Sequence, residues 1–458
     1  MPIFNLRHFV APVLKNYYFM INIRLRVQFL VLAIILFCSS LQAQRYLSDI
    51  DSSFLKDTVR PLIKRFENIN ISGYMQPQFQ VAESDGAPSF AGGNFSQYSS
   101  SRFMLRRARI KIDYLLRTEE RMPKVLFTFQ IDATERGVIV RDMFIRLFET
   151  KKNTLAMTAG FFARPFGFEV NLGSSYRETP ERGRMSQTLM PGERDLGVML
   201  SFEPQRKDHK LYHLKLDGGF FNGQGQSGTT DFDSHKDFIS RLTLKPYSFR
   251  KMELGAGLSI LRGGWKNGTK YVYETETSPG GDKIFVVDSS ESNLGNSAPR
   301  HYYGGDIQYK IHHGWGETEW RAEYWFGTQP GSATSTTNPG TLPGVGGLAA
   351  PTYVRHFNGA FFYFLQNIIN AKHQLVLKYD WYDPNTKVSK TEIGKSGTNL
   401  TAADIKFSTI GVGYVFYFNP QTKITFYYDI VKNEETQLAG FTSDIKDNIF
   451  TCRLQFRF

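Results

Sequence analysis

Basic side chains occupy every second position of a short segment that begins at residue 107. Arg107, Arg109 and Lys111 alternate there with Ala108 and Ile110, and a β-strand places alternating side chains on two opposite faces. One face of this strand is therefore basic and the other apolar. Guanidinium and ammonium groups along one wall bind phosphate and carboxylate oxygens, so the pattern predicts a surface that attracts anions.

The polar face of other alternating segments is basic as well. This face carries Lys215, Arg241, Arg321 and Lys378. Carboxylates share it, at Asp113, Asp132, Asp217, Asp306, Glu319, Glu323 and Asp380. A structural salt bridge is therefore an open alternative for each single basic residue. Collectively, an excess of cations in a confined aqueous passage favours anions. That preference should fade at high salt, because the Debye length falls to about 3 Å near 1 M.

A long connection, residues 164–194, follows one of the alternating segments and is rich in arginine and glycine. It contains Arg177, Arg182 and Arg184. In many barrels one such loop folds inward and partly fills the lumen. If this loop does so, its three arginines narrow the passage. An ordinary surface loop is the alternative interpretation.

The elements that must position these residues are short strands. Alternation of apolar and polar side chains predicts sixteen of them, with a bulge near Arg106, where the phase of the second strand slips. The predicted strands are residues 71–81, 102–114, 125–131, 143–147, 155–161, 196–202, 212–220, 238–244, 252–260, 303–311, 320–326, 357–365, 375–381, 410–418, 424–430 and 450–458. The last of these is apolar on one face, basic on the other and ends on Phe458.

The connections between the predicted strands alternate in length. The short set is 149–153, 246–251, 312–316 and 419–421, and the long set is 164–194, 263–300, 327–352 and 383–404. An outer-membrane barrel has short turns on the periplasmic side and long loops outside. The sequence therefore predicts an all-β fold, a transmembrane antiparallel β-barrel with apolar side chains toward lipid and basic side chains toward the lumen.

The amino-terminal region has the pattern of an export signal. Arg24 and Arg26 precede a largely apolar run, 27–38, and a stretch of small and polar residues that ends at Ala43. We therefore interpret residues 1–43 as a signal peptide, with either Met1 or Met20 as the start. Residues 44–70 are expected to be a periplasmic lead, either a short helix or disordered, and residues 71–458 the barrel in the outer membrane of a Gram-negative bacterium.

Charge and motif content exclude several functional classes. The net charge is +12, and it falls to +8 without residues 1–43, because this segment has four basic and no acidic residues. Export to the outer membrane argues against a nucleic-acid partner. Only Cys452 remains after cleavage, which excludes an internal disulfide. No G-x-S-x-G, H-E-x-x-H or Cys/His cluster occurs, so we expect neither an enzyme nor a cofactor or metal site.

Three segments resemble the phosphate-selective porin O and P family. They are R-F-M-L-R-R-A-R-I-K at 102–111, A-R-P-F-G-F-E at 163–169 and P-G-E-R-D-L-G-V at 191–198, and the resemblance extends over residues 71–458. Members of that family are sixteen-stranded, usually trimeric porins that conduct anions such as phosphate. The resemblance implies that Arg107, Arg109 and Lys111 lie on the lumen wall and that Arg177, Arg182 and Arg184 lie on the constricting loop.

The function predicted from these features is passive diffusion of inorganic or phosphorylated anions. The expected partners are these anions, membrane lipid, lipopolysaccharide and two further copies of the chain. Two other classes stay open. One is a plugged or adhesion barrel, and the other is a barrel phospholipase whose catalytic pair forms across strands without a contiguous motif.

Overall fold

The strands predicted from alternation form one sheet that closes into a barrel. The computed structural model describes residues 67–228 and 230–458. The signal peptide and the lead up to residue 66, both predicted from sequence, lie outside the described residues. Among the described residues, no helix is long and apolar enough to cross a membrane.

The strands, in chain order, are β1 (Ile69–Ala82), β2 (Ser101–Arg117), β3 (Pro123–Thr134), β4 (Gly137–Phe148), β5 (Leu155–Ala163), β6 (Arg194–Phe202), β7 (Leu214–Phe221), β8 (Asp237–Phe249), β9 (Met252–Lys266), β10 (Val272–Thr277), β11 (Lys283–Asp288), β12 (Ser297–His313), β13 (Gly316–Gly331), β14 (Gly344–Val345), β15 (Leu348–Ala349), β16 (Thr352–Ile368), β17 (Asn370–Asp383), β18 (Phe407–Asn419), β19 (Thr422–Asn433) and β20 (Ile449–Arg457). Sixteen of them form the barrel. The other four, β10, β11, β14 and β15, form two hairpins in the loops. Each of the sixteen strands predicted from alternation is present, and β1 begins at Ile69, two residues before the prediction.

The barrel closes between its first and last strands. Each barrel strand pairs antiparallel with its neighbours, and β20 pairs with β1 from Tyr74 opposite Arg457 to Ala82 opposite Ile449. At the end of this seam the backbone N–H of Gly73 donates to the Phe458 oxygen at 3.1 Å, and the N–H of Phe458 donates to the Gly73 oxygen at 3.0 Å. Closure leaves no strand edge unpaired in the sheet.

Short and long connections segregate to opposite ends of the barrel. One end carries the turns 118–122, 149–154, 203–213, 250–251, 314–315, 369 and 420–421, and the other carries 83–100, 164–193, 222–236, 267–296, 332–351, 384–406 and 434–448. We call these the short-turn end and the long-loop end. The exception is the two-residue turn 135–136, which leaves a low rim between β3 and β4 at the long-loop end. The hairpin β10–β11 extends the wall there, and Val272 of β10 pairs in parallel with Thr352 of β16.

The outer surface of the barrel is apolar, as predicted. On β6, Leu196, Val198 and Leu200 are exposed, whereas Asp195 and Ser201 point inward and are buried. An apolar outer band around a closed sheet is what a bilayer requires, because every backbone polar group is satisfied within the sheet.

The inner surface differs from the prediction of a uniformly polar lumen. Several strands carry apolar side chains on both faces toward the long-loop end, and the inward ones form a buried cluster. Its wall members are Phe162, Met199, Phe221, Ile239, Leu261, Tyr302, Trp325, Phe357 and Tyr382. Apolar residues are stable at these inward positions because protein, not water, fills this part of the lumen. The protein that fills it is the connection between β5 and β6.

Candidate functional site: the loop-filled lumen

The connection between β5 and β6, residues 164–193, folds into the barrel, and we call it the inner loop. It contains one short helix, α1 (Arg184–Leu189). Its apolar side chains Phe166, Met185 and Leu189 belong to the cluster inside the wall. The ring of Phe166 meets that of Trp325 edge-on at 4.7 Å between centroids. Burial of apolar area thus anchors the loop.

A tight turn brings the backbone of the inner loop against β13. Gly167 adopts φ +67°, and a Cβ there would lie 2.2 Å from Glu323 Oε1, so only glycine fits. The N–H groups of Phe168 and Glu169 each donate to the Glu323 carboxylate at 2.9 Å, and Trp325 Nε1 donates to it at 2.6 Å. The A-R-P-F-G-F-E segment therefore encodes the inward turn of the loop.

Glutamates of the inner loop bind the basic residues of the wall. Glu178 accepts hydrogen bonds from Arg321 at 2.7 and 3.1 Å. Glu169 Oε1 accepts one from the Tyr363 hydroxyl at 2.8 Å and lies 3.5 Å from Lys378 Nζ. The loop leaves the wall at β5 and β6, and these contacts lie on β13, β16 and β17, on the opposite side of the barrel. The loop therefore crosses the lumen.

Glu181 of the inner loop binds three arginines of the wall. Arg106 Nε, Arg107 Nη2 and Arg453 Nη2 lie 2.9, 2.6 and 2.8 Å from its oxygens. Burial alone would raise the pKa of Glu181, but the charges of Arg106, Arg107 and Arg453 outweigh it and hold that pKa well below its usual value. One carboxylate therefore holds three guanidinium groups from β2 and β20 together.

A cavity of about 380 Å³ lies between the inner loop and strands β2–β4, next to the low rim. Its lining contains six arginines and three carboxylates, so positive charge is in excess. These residues are Arg106, Arg107, Arg109, Arg136, Arg141, Arg182, Asp132, Glu181 and Glu193. We call this space the arginine cavity. Guanidinium forks at this density match phosphate and carboxylate oxygens.

Two β-bulges shape the arginine cavity. In the first, Gln76 and Pro77 of β1 pair with Arg107 and Leu105, which leaves Arg106 as the extra residue. This confirms the bulge predicted from the phase slip. In the second, Gln130 and Ile131 of β3 pair with Asp142 and Val140, so Arg141 is the extra residue of β4. A bulge redirects side chains, and each one here adds an arginine to the lumen.

Glu193 joins the loop to the wall at the base of this cavity. It adopts φ +64°, and its carboxylate lies 2.5 Å from Arg141 Nη2, 3.1 Å from Arg182 Nε and 2.6 Å from Arg194 Nη1. Arg194 in turn binds Asp142 through two hydrogen bonds of 3.1 Å. The P-G-E-R-D segment thus builds a chain of ion pairs at the bottom of the arginine cavity.

A second cavity, of about 690 Å³, lies on the short-turn side of this ion-pair chain. Charged residues of its wall are Asp142, Arg146, Lys215, Asp217 and Arg241. The apolar residues of its lining are Phe144, Phe162 and Met199 of the wall and Pro165, Phe168 and Leu172 of the inner loop. We call this space the amphipathic cavity. The two cavities meet at consecutive residues of β4, because Arg141 lines the first and Asp142 the second.

The residues predicted from sequence as an anion pathway and constriction loop divide into four groups. Arg107, Arg109 and Arg182 line the arginine cavity, and Lys215 and Arg241 line the amphipathic cavity. Lys378 and Arg184, with Arg182 again, line a space of only about 50 Å³. Lys111, Arg177 and Arg321 line none of these three cavities.

Five of the basic residues predicted on the lumen wall have acidic partners. Arg109 pairs with Asp132 at 2.9 Å, Lys111 with Asp113 at 2.8 Å and Lys215 with Asp217 at 3.0 Å. Arg241 pairs with Asp306, and Lys378 with Asp380. The structural salt bridge, which the sequence left open, is therefore present at each of these positions. Their charges are balanced because a buried cation needs a partner.

Each of the three arginines predicted on the inner loop has a partner. Arg182 binds Glu193, Arg184 lies 3.9 Å from Asp447, and the buried Arg177 donates from Nη2 to the Leu172 oxygen. The loop's contacts with the basic wall are made by the glutamates Glu169, Glu178, Glu181 and Glu193. The signal was present in the sequence, because these acidic residues are interspersed among the arginines of the same segment.

Comparison with known proteins supports the fold. No protein-family model and no curated protein match the chain. Among solved structures, it is similar to OprB of Pseudomonas putida, with TM-score 0.54 and 8% identity over 88% of this chain and 97% of that one. It is also similar to the outer membrane channel DcaP of Acinetobacter baumannii, with TM-score 0.50 and 12% identity over 85% and 97%. The protein is therefore a sixteen-stranded β-barrel of the outer-membrane type.

Proposed function

We propose that this barrel is a passive diffusion channel that prefers anions. The observation that carries the proposal is the arginine cavity, where six guanidinium groups face three carboxylates beside the lowest part of the rim. A cavity with low-dielectric walls and excess positive charge raises the local concentration of anions. Below the cavity, Glu193 contacts Arg141 and Arg194, and a permeating anion would take the place of Glu193 at these guanidinium groups.

The identity of the permeating anions and the oligomeric state are proposed from the family resemblance. We propose inorganic or phosphorylated anions as permeants, because guanidinium forks match phosphate oxygens in geometry. We also propose a homotrimer in which part of the apolar outer face meets neighbouring copies and the rest meets lipid and lipopolysaccharide. Diffusion through the lumen requires no catalytic group, so the proposal assigns no enzymatic activity.

A charge reversal at the rim tests the channel proposal with little risk to folding. Arg136 lies in the two-residue turn, its side chain is 62% exposed, and it lines the arginine cavity. In planar bilayers with a salt gradient, the wild-type reversal potential should indicate anion preference, and Arg136→Glu should reduce it. Arg206→Glu is the matched control, because Arg206 is 51% exposed at the short-turn end. Wild-type preference for cations would refute the proposal.

A plugged barrel is the second candidate, and one observation favours it. The inner loop crosses the lumen, packs into an apolar cluster, and neutralises basic residues on β2, β13, β17 and β20. A plug of this kind would carry no current. Stable single-channel conductance of the purified wild-type protein would exclude it, and silent bilayers that contain correctly folded barrels would support it.

A further inference from the structure

The amphipathic cavity has features that a passage for small inorganic anions does not need. Phe144, Phe168 and Leu172 line it and are only half-buried. Phe144 and Phe168 pack against buried clusters on one side, and the apolar surface that remains exposed faces the space. Apolar area in contact with water costs about 25 cal/mol per Å². A solute with an apolar body would cover this surface, whereas phosphate or chloride would not.

The barrel wall of the cavity, across from Phe168 and Leu172 of the inner loop, offers polar groups for a charged head. Arg146 and Thr158 are directly opposed on β4 and β5. Arg146 Nη2 donates to Glu203 at 2.8 Å, but within the described chain Arg146 Nε and Thr158 Oγ1 have no hydrogen-bond partner although both atoms are buried. Lys215, one quarter exposed, lines the same wall. Buried polar atoms normally have partners, so these groups are placed to bind a ligand or water.

The two sides together define a chemical class. We infer that the amphipathic cavity is a subsite for organic anions, which carry a carboxylate or phosphate on an aromatic or branched aliphatic body. The anionic head lies against Arg146, Thr158 and Lys215, and the apolar body lies against Phe168 and Leu172 of the inner loop. The inference rests on the proposed function, because a solute reaches this cavity only if the lumen conducts.

The order of the cavities along the lumen fits this solute class. An anion from the long-loop end meets the arginine cavity first and is selected for charge. It then passes the ion pairs of Glu193 and Arg194, and its apolar part meets the second cavity. Different residues thus select for the charge and for the apolar body of the solute. Selection for the apolar body can therefore be altered without a change in selection for charge.

Permeability ratios under bi-ionic conditions test the inference. With sodium benzoate on one side of a bilayer and sodium acetate on the other, the reversal potential gives the benzoate-to-acetate permeability ratio. Benzoate is the larger ion, so a passage without an apolar subsite gives a ratio below one. We expect a ratio above one in the wild type. Leu172→Asn should lower it roughly fivefold, which corresponds to about 1 kcal/mol.

Two companion variants separate loss of the apolar contact from general damage. Leu172→Met keeps the apolar surface and should keep the ratio. Leu348→Asn makes the Leu-to-Asn change at a side chain that is 77% exposed in a loop hairpin, and it should also leave the ratio unchanged. A wild-type ratio below one, or a ratio that Leu172→Asn does not lower, overturns the inference.

A sodium chloride gradient in the same membranes distinguishes this failure from failure of the proposed function. Anion preference in chloride with a benzoate-to-acetate ratio below one removes only the organic-anion subsite. Cation preference in chloride removes the channel proposal and the subsite with it.

Discussion

Arg141 and Asp142 are neighbours in the sequence of one β-strand, yet both side chains point into the barrel. In a regular strand one of them would face lipid. Arg141 is the extra residue of a bulge opposite Gln130 and Ile131, and this turns the two side chains to the same face. One lines the arginine cavity and the other the amphipathic cavity, so a local irregularity places opposite charges on two sides of the passage.

Neutral variants of this pair should change ion selectivity in opposite directions. Arg141→Gln removes positive charge from the passage and should lower the anion-to-cation permeability ratio, and Asp142→Asn should raise it. At an effective dielectric constant of about 20 and about 0.1 M salt, we expect changes of about two- to fivefold. Reversal potentials in a salt gradient measure the ratio. A change of the permeability ratio in the same direction in both variants would contradict the opposite effects expected from Arg141 and Asp142.

Removal of the Glu181 charge should release part of the inner loop. In Glu181→Gln, Arg106, Arg107 and Arg453 lose the carboxylate that binds them together, and loss of one partner of a buried ion pair costs about 3–5 kcal/mol. We expect the loop to become accessible to trypsin at Arg182 and Arg184, which mass spectrometry of the digested protein detects.

The matched control for this variant is Glu120→Gln, which removes a carboxylate that is 74% exposed and pairs with Arg206 at 3.3 Å. Exposed pairs contribute about 0–1 kcal/mol, so its digestion pattern should match the wild type. Equal protection of Arg182 and Arg184 in Glu181→Gln would show that the remaining contacts of the loop hold it in place without the Glu181 charge.

A single methyl group at Gly167 should prevent the inward turn. Gly167→Ala combines a left-handed backbone, which costs about 1–2 kcal/mol for a residue with a Cβ, with a contact against Glu323 and Trp325. We expect a lower thermal unfolding temperature in detergent and higher, noisier conductance. Gly346→Ala is the matched control, because Gly346 has φ +59° with no atom within 4 Å of its Cβ position. If both variants lowered the unfolding temperature equally, backbone strain and not impaired docking of the loop would explain the decrease.

Much of the fold follows from patterns within single segments. Alternation located the sixteen barrel strands, and the phase slip located the bulge at Arg106. The bulge at Arg141 was not predicted, because the run before it, Val138–Val140, is apolar at every position. Without alternation, a shift between the two faces leaves no trace in the sequence. Consecutive aromatic residues, such as Tyr302 with Tyr303 and Phe361 with Phe362, were a further sign that some inward positions are dry.

The sequence by itself determined which side chains face lipid wherever apolar and polar residues alternate, because that depends on a period of two residues along one segment. Only the tertiary structure decided which lumen cations are balanced and by what. Glu181 binds Arg453 across 272 positions of the chain, and no local pattern encodes a contact at such separation. Folding of the inner loop into the barrel creates these pairs, and with them the two cavities through which the proposed anions would pass.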